Sequence, residues 1–180
     1  MNCTTFLRRS AIAAAIAIPV GTGLFAAPAS AKTSYSAALT DARGDAKPSA
    51  RDLVRGTVRY NSKTGTLSAK LIVAANYASS RADAAVVASI SDTSTANCSK
   101  VAMSIGVQLS NPTVALAWRG TTPGKQRWYG TGRIHARTLT MRVQTKQLAG
   151  RTPACTAAFV TTTANSPSII DETAVQRAFS

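Results

Sequence analysis

Three aspartates lie close together in a chain that is otherwise strongly basic. Asp41, Asp45 and Asp52 are three of the seven acidic residues, whereas lysine and arginine together number 21. Calcium binds six to eight oxygen ligands, and carboxylates with loop carbonyls can supply them. The cluster therefore suggests a calcium site at these three aspartates, although the spacing fits no EF-hand loop. The alternative is structural, because an aspartate at a turn commonly accepts a hydrogen bond from a nearby backbone amide.

The segment that carries these aspartates connects two predicted strands. Ser34–Thr40 alternates weakly between polar and apolar residues, and Leu53–Tyr60 alternates more clearly, so both are predicted to be strands. Gly44 and Pro48 interrupt the segment between them, as residues of a loop do. Turn formation between two strands is thus the alternative to metal binding for this loop.

The remainder of the chain contains short strand patterns separated by turn signals, without the long amphipathic helices of an α/β enzyme. Val101–Leu109 alternates most regularly, and in the following strand Val114, Leu116 and Trp118 are predicted to face the core. Strands at intervals of about ten residues are typical of a sandwich. The sequence therefore predicts an all-β protein, an antiparallel β-sandwich of about eight or nine strands.

The N-terminal residues predict an export signal. Arg8 and Arg9 precede the apolar stretch Ser10–Phe25, and an A-x-A cleavage site ends at Ala31, so Lys32 is the expected mature N-terminus. The paired arginines leave both general secretion and the twin-arginine route open. The protein is expected to be secreted, extracellular or associated with the cell wall, with no transmembrane anchor. The predicted organisation is a signal peptide at 1–31, a β-sandwich domain at 32–164 and a loosely attached tail at 165–180.

Two cysteines, Cys98 and Cys155, follow the predicted cleavage site. An exported chain reaches an oxidising compartment, where a pair of cysteines normally forms a disulfide. Two sulfurs without a neighbouring histidine or further cysteine cannot complete a tetrahedral zinc site. The sequence therefore predicts a Cys98–Cys155 disulfide, which would stabilise the fold by about 4 kcal/mol.

The formal net charge is +14, and loss of Arg8 and Arg9 with the signal lowers it to +12. Such an excess attracts anionic polymers, although a soluble secreted protein rich in arginine would have the same charge. Nucleic acid would require aromatic side chains between the cations, and the outward positions carry threonine and serine instead. The favoured partner is therefore an anionic cell-wall polymer or a polysaccharide.

One hairpin gives this charge a location. If Val58 pairs with Leu67, the apolar faces of the two strands coincide and Arg55 lies opposite Lys70. With Arg59, these residues would form a basic stripe on the open face of the hairpin. Arg55, Arg59 and Lys70 are therefore the predicted contacts with an anionic polymer.

Catalysis has little support in the sequence. His135 is the only histidine, and the chain lacks the G-x-S-x-G elbow of a serine hydrolase. No pair of carboxylates has a recognisable acid and base context. These observations predict a protein that is not an enzyme and has no catalytic residues.

One motif resembles a known group of proteins. The pattern D-x-x-G-D at residues 41–45, followed by Asp52-Leu53 and a strand-turn-strand, resembles small secreted β-sandwich proteins of high-GC Gram-positive bacteria and is similar to carbohydrate-binding and DOMON-like sandwiches. Residues 137–143 and 148–150 resemble that family's late strand and turn. The chain departs from the pattern at Ala42, where relatives often carry proline. Most such proteins have no assigned activity, so the resemblance implies the sandwich fold rather than a reaction.

These observations favour a secreted, non-catalytic binding or structural protein of the cell surface that engages anionic wall polymers through basic residues. Two alternatives stay open. The first is a calcium-dependent carbohydrate-binding module that uses Asp41, Asp45 and Asp52. The second, against which the sequence argues, is a secreted hydrolase that uses His135. No cofactor is predicted apart from the calcium of the first alternative.

Overall fold

The strands of the protein form a single hydrogen-bonded sheet. The computed structural model describes residues 32–45, 51–77, 84–92, 100–120, 124, 126–162, 169–172 and 177–180. Eleven strands occur in these ranges, and all of their pairings are antiparallel. The strands are β1 (Ser34–Thr40), β2 (Leu53–Asn61), β3 (Thr66–Val73), β4 (Ala84–Ser91), β5 (Val101–Gln108), β6 (Asn111–Arg119), β7 (Arg127–His135), β8 (Thr138–Gln144), β9 (Cys155–Thr162), β10 (Ile169–Glu172) and β11 (Arg177–Ala178).

The sheet curls until its two ends almost meet. The order of the strands is β1-β2-β3-β8-β7-β6-β5-β4-β9-β10, and β11 also pairs with β9. Ser36 in β1 and Ser180 beyond β11 exchange backbone hydrogen bonds of 3.0 and 3.3 Å. The predicted all-β, antiparallel class is confirmed. The division into the two layers of a sandwich stays a prediction, since hydrogen bonds join all the described strands into one sheet.

The C-terminal residues take part in this near closure. Residues 165–180 were expected to be loosely attached, but β10 and β11 both pair with β9. Phe179 then packs edge-on against Tyr35 of β1, with ring centroids 6.5 Å apart. The described part of this segment is thus paired with the sheet, and the predicted division at residues 164 and 165 stays a prediction. The physical reason is that β9 would otherwise expose an edge of unpaired backbone groups.

Side chains that alternate along the strands fill the interior of the curled sheet. Leu67, Leu71, Met103, Ile105 and Leu139 are all completely buried in one apolar cluster. The period of two residues places them on the inner face of β3, β5 and β8, as the sequence predicts. Residues 32–180 form one compact unit around this core.

Strand β6 presents the opposite face to the one predicted. Ala115 and Ala117 are completely buried in the core cluster, whereas Val114 is 40% exposed and Leu116 is half-buried on the other side of the sheet. Trp118 is buried, but on this outer side. Ala117 pairs with Ile105, whose side chain already fills the interior. The space that remains inside beside Ile105 accommodates only a methyl group.

Two buried tyrosines differ in their hydrogen bonding. The Tyr60 hydroxyl donates to the Leu148 carbonyl at 2.6 Å and accepts from the Arg151 amide at 3.2 Å. The Tyr77 hydroxyl is equally buried and has no hydrogen-bond partner in the described part of the chain. Burial raises the pKa of both phenols above the usual value of 10, because the charged phenolate is poorly solvated in the interior.

Replacing each tyrosine with phenylalanine should have opposite effects on stability. Tyr60→Phe should lower the free energy of unfolding by about 1–3 kcal/mol, since a buried carbonyl and amide lose their partner. Tyr77→Phe should leave the free energy at neutral pH unchanged or raise it. Both pKa values are raised in the folded state, so the phenols of the unfolded chain lose their protons first as the pH rises above about 10. The free energy of unfolding should therefore decrease above that pH. The decrease should be less steep in Tyr77→Phe, which lacks one of the two phenols. Urea unfolding at neutral and alkaline pH measures both effects, and equal losses at neutral pH would contradict the assignment.

Candidate functional site

The three predicted basic contacts lie together on the outer face of the sheet. Arg55 and Arg59 project outward from β2, Lys70 projects outward from β3, and all three are exposed. The register differs from the predicted one, because Val58 pairs with Ala69 instead of Leu67. Lys70 consequently lies opposite Thr57 rather than opposite Arg55. The shift relieves the like-charge pair that the predicted register would have created.

The turn of this hairpin explains the register. Residues 62–65 form a four-residue turn, and the Asn61 side chain accepts hydrogen bonds from the amides of Lys63 and Thr64 at 3.0 and 2.9 Å. Asn61 then pairs with Thr66 as the last position of the ladder. A shift of two residues preserves which side chains face outward, so the basic residues keep their predicted face.

Strands β8 and β7 add cations that the sequence analysis did not include. Arg142 lies beside Ser68 of β3, and Arg133 lies beside Thr140 of β8. His135 is also exposed on this face of β7. Arg142 alternates with the inward side chains of β8, so the sequence predicts its outward direction. Nothing in the sequence indicates that β8 pairs with β3. We call the following six residues the basic face: Arg55, Arg59, Lys70, Arg133, His135 and Arg142.

Hydroxyl side chains separate the cations of the basic face. One row across the sheet runs Arg59, Ser68, Arg142 and Thr131, and the next runs Thr57, Lys70, Thr140 and Arg133. Cations within a row are two strands apart, about 10 Å. Diagonal neighbours in adjacent rows are about 7–8 Å apart at their Cα atoms. The result is a staggered array of positive charges and hydroxyl groups.

No carboxylate neutralises this array within the described part of the chain. The ion pair that the structure describes joins Arg151 to Asp92, away from the basic face. Two shallow depressions lie between the cations, one around Lys70 and Arg142 and one around Lys70, Arg133 and His135. The spacing between neighbouring cations is comparable to the Debye length of about 8–10 Å at moderate salt. The positive potentials of these cations therefore add. The arrangement can bind several linked anions at once.

The aspartate loop is held mainly by hydrogen bonds to its own backbone. Asp52 is completely buried, and its Oδ2 accepts from the Gly44 amide at 2.7 Å. Asp41 Oδ1 accepts from the Ala42 amide at 2.9 Å, and Asp45 is exposed. Among the described residues, which include all three aspartates, no three acidic, histidine or cysteine side chains form a group able to hold a metal ion. The second carboxylate oxygen of Asp52, Oδ1, is buried without a hydrogen-bond partner in the described part of the chain. Both the calcium site and the structural role therefore stay predictions from the sequence.

His135 lacks the partners of a catalytic histidine among the described residues around it. It is exposed, and the described residues around its depression are Lys70, Arg133, Thr138 and Thr140. A histidine base would need a carboxylate to orient it and a serine or cysteine nucleophile beside it. Neither stands among these four residues. The hydrolase alternative thus gains no geometric support from them.

The predicted disulfide and export signal involve residues outside the described ranges. Cys155 is buried at the start of β9, whereas Cys98 lies outside the ranges that the structure describes. Residues 1–31, with Arg8, Arg9 and the cleavage site between Ala31 and Lys32, likewise precede the first described residue. The disulfide and the signal peptide stay predictions. Across the described ranges, the structure contains no helix with the length and apolar character needed to cross a membrane.

Comparisons with known proteins add no relative to this picture. No protein-family model, curated protein or solved structure matches the chain. The resemblance to small secreted β-sandwich proteins through the aspartate loop therefore stays a prediction from sequence. Functional inference rests on the basic face and on the other surfaces of this chain.

Proposed function

We propose that the protein is a secreted, non-catalytic binding protein of the cell surface that holds an anionic wall polymer on its basic face. The observation that carries the proposal is the presence of five exposed lysine and arginine side chains on four adjacent strands, with no described carboxylate among them. The proposal includes the export signal at 1–31, the Cys98–Cys155 disulfide and the two-layer sandwich.

A polymer fits the basic face better than a small ligand does. The cations are spread over β2, β3, β8 and β7, and the depressions between them are shallow. A small anion could contact one or two of these cations, and each exposed ion pair contributes only about 0.2–1 kcal/mol. A chain of linked anions contacts several cations and releases its own condensed counterions, so the small contributions add.

The hydroxyl groups between the cations also support a wall polymer rather than nucleic acid. Ser68, Thr131 and Thr140 can each donate to and accept from hydroxyl-rich polymer units. The described residues that line the two depressions include no aromatic side chain on which a base could stack. The interaction should therefore depend on charge density and salt, with little dependence on bases.

Neutralising two cations of the basic face should weaken polymer binding strongly. Arg59→Gln/Arg142→Gln removes two polymer contacts, so the slope of log affinity against log salt should become shallower by about 1.4–1.8. At 0.1 M salt this corresponds to a loss of affinity on the order of 30-fold. Titration of the purified protein with linear polyphosphate and with purified bacterial wall material, at several salt concentrations, measures both quantities.

A second pair of cations provides the matched control. Arg43→Gln/Lys100→Gln removes the same net charge from exposed positions outside the basic face. This variant should retain its salt slope and lose affinity by less than about threefold, the effect of long-range charge alone. Equal losses in the two variants would show that net charge, and not the basic face, governs binding. Absence of binding by the parent protein at low salt would overturn the proposed function itself.

A further inference from the structure

A separate cavity opens on the outer side of β5, β6 and β7. It has a volume of about 250 Å³, and its apolar walls include Gly106, Leu116 and Trp118. Val114 and Tyr129 form its rim and are, at 40% and 65%, the two exposed large apolar side chains of the described chain. Both exposed side chains therefore border the same cavity. We call it the outer groove.

The shape of the outer groove follows from the residues that pair across it. Gly106 lies between Val87 of β4 and Leu116 of β6, and it has no side chain to fill the gap between them. Tyr129 lies opposite Leu116 on β7 and extends the apolar wall outward. Single exposed apolar residues are ordinary, but a walled apolar cavity with an aromatic rim is typical of a ligand site.

Trp118 lines this groove without offering it a hydrogen-bond donor. Its side chain is only 4% exposed, and its indole Nε1, which has no acceptor in the described part of the chain, has almost no accessible surface. A ligand in the groove therefore meets Trp118 through the ring and not through the N–H.

A charged side chain at the groove specifies the chemistry of a ligand. Arg127 lies directly opposite Trp118 on β7, is exposed and lines the groove. A guanidinium has donors and no accepting atom, so the group that meets it must be an acceptor. The positive charge of Arg127 further favours an anion, and a planar carboxylate matches the fork of the guanidinium.

We propose that the outer groove binds a small amphiphilic carboxylate. Its carboxylate pairs with Arg127, while its apolar part lies against Gly106, Leu116 and the ring of Trp118, under Tyr129. The cavity volume equals that of about eight water molecules, which suits a short alkyl or single-ring acid. This site is independent of the polymer proposed for the basic face, because it uses different residues and a different class of ligand.

Nuclear magnetic resonance can test the site directly, because the chain has only two tryptophans. In ¹⁵N-labelled protein, Trp118→Phe identifies which of the two indole N–H signals belongs to Trp118. Titration with sodium octanoate should shift that signal. 1-Octanol should bind at least about tenfold more weakly than octanoate, since it lacks the charge that pairs with Arg127. Octyltrimethylammonium, whose head is a cation without an acceptor, should leave the signal unmoved.

Three variants separate the site from general effects of charge and stability. Arg127→Gln should weaken octanoate binding about tenfold. Arg133→Gln removes the same charge from an exposed position of β7 outside the groove and should change the affinity by less than about twofold. Leu116→Trp, which fills the cavity, should abolish binding while the dispersed spectrum of the folded protein persists.

Several outcomes would overturn the proposal. Equal affinities for octanoate and 1-octanol would show that the groove selects apolar surface and not an anion. Octanoate binding that leaves the Trp118 signal unmoved, or that survives Leu116→Trp, would place the ligand elsewhere. Concentration-dependent broadening of the Trp118 signal without ligand would identify the groove as a contact between copies of the chain.

Discussion

Gly130→Ala is expected to lower the free energy of unfolding by about 3 kcal/mol or more, enough to unfold a marginally stable domain. A Cβ at this position would overlap the Arg142 carbonyl oxygen and would stand 2.8 Å from Val143 Cγ2. Neither neighbour can move freely, because Arg142 is held in the ladder opposite Thr131 and Val143 is buried in the core. Urea unfolding of the variant measures the loss.

A second glycine and a matched control make this result specific. Gly132→Ala should also destabilise strongly, since its Cβ would overlap the Pro112 carbonyl oxygen and meet Val107 Cγ1 at 2.9 Å. Gly124 has open space around it and an ordinary backbone φ, so Gly124→Ala should change stability by less than about 0.5 kcal/mol. If Gly130→Ala unfolds at the urea concentration of the parent, β7 does not approach β8 as closely as described.

Alternation predicted which residues of a strand share a face, but it could not predict which face turns inward. In β6 the bulky set of Val114, Leu116 and Trp118 was the natural choice for the core. The interior instead takes Ala115 and Ala117, because the inner face of a curled sheet has less room than the outer face. The error has a functional consequence, since the displaced bulky residues line the outer groove.

The basic face was predicted only as far as one hairpin extends. Arg55, Arg59 and Lys70 come from adjacent strands, whose proximity a short turn guarantees. Arg142 joins them through the pairing of β3 with β8, two strands that are distant in sequence. Local pattern does not determine such long-range pairings, so half of the face could not be derived from the chain alone. The direction of each side chain was predictable, but the identity of its neighbours was not.

The aspartate loop is the case in which the sequence allows two roles for the same residues. Asp41, Asp45 and Asp52 cluster in sequence, which fits a metal site and a turn equally well. In the structure their environments diverge, since Asp52 is completely buried and Asp45 is exposed. Ligands of one ion would share an environment. The two roles therefore predict different consequences for the same substitutions.

Asp52→Ala should lower the free energy of unfolding by about 2–3 kcal/mol, with or without calcium. The substitution removes the buried acceptor of the Gly44 amide and leaves a void beside Leu53, where the loop enters β2. The Asp52 carbonyl, which accepts from the Ala74 amide at 2.8 Å, is unchanged, so the loss reports the carboxylate. Asp52→Asn retains an acceptor for Gly44 and should lose less. Urea unfolding in excess calcium and in EDTA measures these differences.

Asp45→Ala is the control that distinguishes capping from metal binding. Asp45 is exposed and close to Asp52 in sequence, so its removal should change stability by less than about 0.5 kcal/mol if the loop is structural. A bound calcium ion would stabilise the native state, because ligands that bind only the folded form raise its stability. In that case the parent would melt at a higher temperature in calcium than in EDTA, and Asp45→Ala would abolish the difference. We expect one melting temperature in both solutions, because the described residues, which include all three aspartates, contain no group of three acidic, histidine or cysteine side chains able to hold a metal ion.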